Sequence, residues 1–105
     1  MEGLVGGRVV NYVLSEQDHV EVLRRRTDPN GIRGRIEEGT WPFGAMAHIG
    51  NPVLGGDILP AMVVKVHPDD TVNLKVMLDG TDVLWVQAVA LDETKAQGTW
   101  HWIPR

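Results

Sequence analysis

The sequence predicts a mainly β domain: a small barrel or bent sheet of five to six strands, with a short helical insertion after the first strand. Three observations carry this. Three β-branched runs follow one another between residues 58 and 91, separated only by short turns rich in Pro, Asp and Gly. Within them apolar and polar side chains alternate, as in Val72-Asn73-Leu74-Lys75-Val76, the period of a strand with one face inward. The chain has only 105 residues, and bending a sheet this small onto itself is the most direct way to remove exposed strand edges.

The elements follow in order along one domain, residues 1–105. Gly7 to Leu14, GRVVNYVL, is a strand with Val9, Asn11 and Val13 on one face and Val10, Tyr12 and Leu14 on the other. Ser15-Glu16-Gln17-Asp18 approximates a capping box and opens a helical insertion over 15–38. Val20 and Leu23, at i and i+3, form its thin apolar stripe, and Arg24-Arg25-Arg26 suits the negative end of the helix dipole. Asp28-Pro29-Asn30-Gly31 is a turn, and a second short helix carrying Ile32 and Ile36 ends at Gly39. Residues 39–57 are rich in Gly and Pro and read as a hairpin, with a short strand at Ala45 to Ile49. The meander then runs Ile58 to His67, Val72 to Leu78 and Leu84 to Leu91, and Thr99 to Ile103 closes the set.

Composition bounds the function. The chain has no cysteine, which excludes a disulfide framework, a thiolate nucleophile and thiolate metal ligands. A net charge of −4 argues against a protein that coats duplex nucleic acid. No run of about 18 apolar residues offers a membrane span, and the start MEGLVGGRVV lacks the features of a signal peptide. A domain this small buries a limited share of its surface, so a homo-oligomer that completes the core is expected.

Two resemblances add to this. The order Ala61-Met62-Val63-Val64-Lys65-Val66, Val72-Asn73-Leu74-Lys75-Val76, Trp85-Val86 resembles SH3-like, Tudor-like and KOW-like barrels, a likeness of fold that carries no function. The pieces GRVVNYVL at 7–14, PAMVVKV at 60–66, VNLKV at 72–76 and GTWHWIP at 98–104 are similar to a family of small bacteriophage and prophage proteins. Those proteins typically run GRIVHYVL, PAIVVRVW, VNLQVF and GTWHWPE. This chain has Asn11 where a histidine is common, His67 where a tryptophan is common, and an extra residue before the final proline. The resemblance implies a viral protein acting in the cytoplasm of an infected bacterium.

The chemistry points to binding rather than catalysis. No Gly-x-Ser-x-Gly elbow is present, the one serine is accounted for as a helix cap, and Asp69-Asp70 belongs to a turn. The four histidines, His19, His48, His67 and His101, lack metal-site spacing, so neither a metal nor another cofactor is expected. In an extended chain Trp100 and Trp102 point to one side and His101 to the other. The expected ligand wall is Tyr12, Trp41, His48, Trp85, Trp100, His101 and Trp102, with Arg24, Arg33 or Arg105 meeting phosphate. The expected function is therefore a non-enzymatic protein that sequesters a small nucleotide-like ligand, such as a host immune signal. A virion or assembly adaptor, or an inhibitor that binds a host protein, is the alternative.

Overall fold

The computed structural model describes residues 1–26 and 50–104; the second helix, the strand at Ala45 to Ile49, and Arg33, Trp41, His48 and Arg105 lie outside them. The described residues form β1 (Val9–Val13), α1 (Glu16–Arg26), β2 (Ile58–Val66), β3 (Val72–Met77), β4 (Val83–Val89) and β5 (Trp100–His101). The mainly β reading holds: one antiparallel sheet has the order β4-β3-β2-β1-β5. The chain after β4 returns to the far edge, where Trp100 N–H donates to Ala90 O at 3.0 Å and Asp92 N–H to Trp100 O at 2.9 Å. These bonds frame an isolated parallel bridge between Leu91 and Trp100, which ties the segment after β4 to the opposite edge of a bent sheet, the arrangement of a small barrel.

The alternation foreseen in β3 is met: Val72, Leu74 and Val76 are buried, as is Leu78 just beyond the strand, while Lys75 is exposed. Val10 and Tyr12 from β1, Leu14 just after it, Ala61 and Val63 from β2, Leu84 and Val89 from β4, and Trp100 from β5 join them in the interior, with Leu4, Val22 and Val53 from outside the sheet. In β4 the alternation runs from Leu84 to Val86 and then breaks. The register with β3 slips between Val72 and Leu74, and Ala88 takes a φ of 53°. This is a bulge, and the amide of Ala88 is satisfied by the side chain of Asn73, whose Oδ1 accepts it at 3.0 Å. Because that oxygen is an acceptor only, His67 Nε2, 2.9 Å away, is the protonated nitrogen of its ring. β2 carries a second irregularity, between Val63 and Lys65.

The capping box is present in full. Ser15 Oγ accepts the amide of Asp18 and Asp18 Oδ2 accepts the amide of Ser15, both at 3.0 Å. The stripe of α1 differs from the one expected: Val22 is buried, whereas Val20 is 60% and Leu23 47% exposed. The cause is polar. The Tyr12 hydroxyl donates to Asp18, and Arg25 donates to Val83 O at 2.9 and 3.2 Å and lies 3.5 Å from the buried carboxylate of Asp82. Asp18, Val22 and Arg25 stand at i, i+4 and i+7, so the two anchors fix the face of the helix and Val22 lies between them. His19 adds a third tie, its ring Nδ1 donating to Val53 O at 2.5 Å.

The turn from β2 to β3 confirms the reading of Asp69. Its carboxylate accepts from the Thr71 hydroxyl at 2.6 Å and from the Thr71 amide at 3.1 Å. Those bonds hold its pKa below the usual carboxylate range.

Candidate functional site

The pairing of β1 with β5 positions the site. Tyr12 lies opposite Trp100 and Asn11 opposite His101. Continuing that register sets Trp102 beside Val10, close to the start of β1 where Arg8 stands. Arg8 shares the inward side with Val10 and Tyr12 by strand alternation, but it sits at the rim, where the interior meets water.

The result is an open cleft of about 390 Å³ lined by Glu2, Gly3, Arg8, Trp102 and Ile103. The Trp102 ring meets Trp100 edge-to-face, with centroids 5.0 Å apart and planes at 87°. The Arg8 guanidinium carbon lies 5.5 Å from the Trp102 ring centroid. One contact fixes the indole from the core side, and the other holds the guanidinium by cation–π attraction. Among the described residues no carboxylate forms an ion pair with Arg8. Gly3 has a φ of +79°, a region that favours glycine, and a Cβ there would lie 3.9 Å from the indole. The N-terminal segment is thus shaped to pass beside Trp102. It is secured by Leu4, which is 5% exposed, and by Gly7 N–H donating to Val63 O at 2.7 Å.

The expected ligand wall is only partly assembled here. Trp100 is fully buried and His101 is 2% exposed, so neither presents a ring face to a ligand. The indole nitrogen of Trp100 and Nδ1 of His101 are enclosed with no hydrogen-bond partner. Tyr12 is 3% exposed and its hydroxyl is committed to Asp18; burial first, then that hydrogen bond, push its pKa well above the ordinary value. Trp85 projects outward from β4, 56% exposed and apart from the cleft. Arg24 pairs with Glu21 on the surface of α1 at 2.8 Å and does not line the cleft. The cation of the cleft is Arg8, in place of the Arg24, Arg33 or Arg105 expected from the sequence; it stands alone just before β1. Its signal was its place two residues before Val10, on the inward side of a strand that must pair with the C-terminal tryptophans.

Among the described residues no group of three or more His, Asp or Glu side chains is gathered as metal ligands would be, and no helix is long and apolar enough to cross a membrane. Comparison with protein-family models, curated proteins and solved structures gives no match.

Proposed function

We propose that the chain is a binding protein that holds a small, flat, anionic ligand in the cleft between Arg8 and Trp102, without catalysing its conversion. The observation that carries this reading is the pairing of an indole open to the cleft with a guanidinium that has no carboxylate ion-pair partner among the described residues. The planar guanidinium offers paired N–H donors to a phosphate, and the cation–π contact limits the rotamer freedom lost on binding. The indole offers apolar area and a π-face to a ring. A phosphorylated nucleoside, or a cyclic nucleotide used as a host immune signal, combines both requirements. The similarity of the strand sequences and of GTWHWIP to phage and prophage proteins supports a role in sequestering such a signal inside an infected bacterium.

Isothermal titration with mononucleotides, cyclic dinucleotides and inorganic phosphate tests this. At least one nucleotide is expected to bind more tightly than phosphate. Trp102→Ala removes a stacking contribution of about 1–3 kcal/mol, roughly a 5- to 150-fold loss in affinity. Arg8→Ala is expected to cost at least tenfold and to flatten the salt dependence. Absence of binding by every nucleotide, or binding indifferent to both substitutions, would overturn the proposal.

A further inference from the structure

The outward face of the sheet raises a separate question. Cross-strand partners share a face, so the pairs Trp85–Lys75, Lys75–Met62 and Met62–Val9 define one row across four strands. Val83 and Met77 begin the row beside it. Apolar side chains in these rows are open to water: Trp85 is 56%, Val83 45%, Met62 41% and Val9 39% exposed. Ile58, at 45%, and Val64, at 49%, extend the patch along β2. Isolated exposed apolar residues are ordinary, but a contiguous set on one sheet face marks an interaction surface.

The charge on this face is one-sided. The chain has 14 Asp and Glu residues, yet none occurs in any of the five strands. The only charged side chains in the strands are Lys65 and Lys75, both exposed and without an ion-pair partner among the described residues. In a chain of net charge −4, the acids are held in turns, in α1 and in the remaining segments. A second copy would bring like charges together across a symmetric contact. A single-stranded nucleic acid needs a basic groove and several stacking rings, whereas this face has two lysines and one indole among aliphatic side chains.

We propose that this face docks an acidic, apolar segment of a partner protein, with its aliphatic or aromatic side chains against Trp85 and Met62 and its carboxylates on Lys75 and Lys65. The surface is distinct from the cleft of Arg8 and Trp102 and stands or falls independently of it.

The probe is a synthetic peptide, Glu-Phe-Glu-Leu-Leu-Glu-Phe-Glu, titrated into the full chain and followed by NMR. Two control peptides replace its Glu residues with Lys or its Phe and Leu residues with Ser. The acidic apolar peptide is expected to shift the Trp85 indole N–H and the Lys75 amide, with both controls at least tenfold weaker. Lys75→Glu is expected to weaken binding at least tenfold, and Trp85→Ala comparably. Both sites are exposed, so folding should survive, as circular dichroism will check. Trp102→Ala is expected to leave this binding unchanged. No shift at Trp85, equal binding of the acidic and Lys-containing peptides, tighter binding of a thymidine decamer at the same residues, or self-association that buries Trp85 would each overturn the proposal.

Discussion

Trp100 and Trp102 leave the chain on the same side, two residues apart, and their rings touch, yet they do different work. Trp100 lies within the paired part of β5, opposite Tyr12, and is fully enclosed. Trp102 lies beyond the last paired residue, at the rim, and one side of it opens to the cleft. Distance from the end of the sheet, rather than residue type, separates a core residue from a candidate binding residue. Substitution should make this difference quantitative. Trp100→Ala is expected to destabilise the fold by about 3–5 kcal/mol, the range for deleting a large buried ring, and to broaden or abolish the thermal transition. Trp102→Ala is expected to cost about 1 kcal/mol, because it loses an edge-to-face contact and only part of a buried surface. Trp100→Phe tests the contrast further. It removes the unpartnered indole N–H along with part of the ring, so its cost should fall well below that of the alanine variant. Equal losses at positions 100 and 102 in urea denaturation would break the comparison.

What sequence revealed divides along the same line. The meander was legible because β3 and the first half of β4 alternate strictly and their turns are short. The bulge at Ala88 was not, since alanine carries no signature of positive φ and the side chain that satisfies it, Asn73, lies on another strand. Helix α1 was located correctly from Ser15 and Asp18, but its buried face was misassigned to Val20 and Leu23. Hydropathy seeks apolar residues at helical spacing, and two of the three positions at i, i+4 and i+7 here are charged. For the site, the C-terminal aromatics stood out as unusual, but nothing local to them says which are sealed. Arg8 becomes visible only once β1 is paired with β5.

Arg24 and Arg25 repeat the contrast on the helix. Arg24 makes an exposed i, i+3 pair with Glu21, its side chain 76% exposed. Arg25 is 27% exposed and reaches across to Val83 O and to Asp82, whose side chain is 1% exposed. Arg25→Ala is expected to destabilise the protein by about 2–3 kcal/mol, because a buried carboxylate loses a charged partner and the helix loses its anchor to β4. Arg24→Ala is expected to change stability by less than about 0.5 kcal/mol, as surface pairs do. Raising the salt concentration should erase the Arg24 effect and leave most of the Arg25 effect. Thermal melts of the two variants at low and high salt check this.

The remaining effect lies at the other anchor of α1 and carries a pH signature. Burial and the carboxylate of Asp18 both favour the neutral phenol of Tyr12, so its pKa in the folded state stands above the unfolded value of about 10. A raised pKa means that the folded protein keeps its proton where the unfolded chain releases it. The stabilisation is therefore complete below about pH 10 and declines as the pH climbs from there toward the folded-state value. Tyr12→Phe keeps the ring in the core and removes only the hydroxyl. It is expected to cost about 1.5–3 kcal/mol at neutral pH, the worth of one hydrogen bond to a charged group, and to remove this part of the alkaline decline. Tyr12 is the one tyrosine of the chain, so phenolate absorbance reports on it alone. A native-state titration with an ordinary midpoint would show that the hydroxyl is open to solvent, and the tie between β1 and α1 would then have to rest on the cap at Ser15 and on Val22.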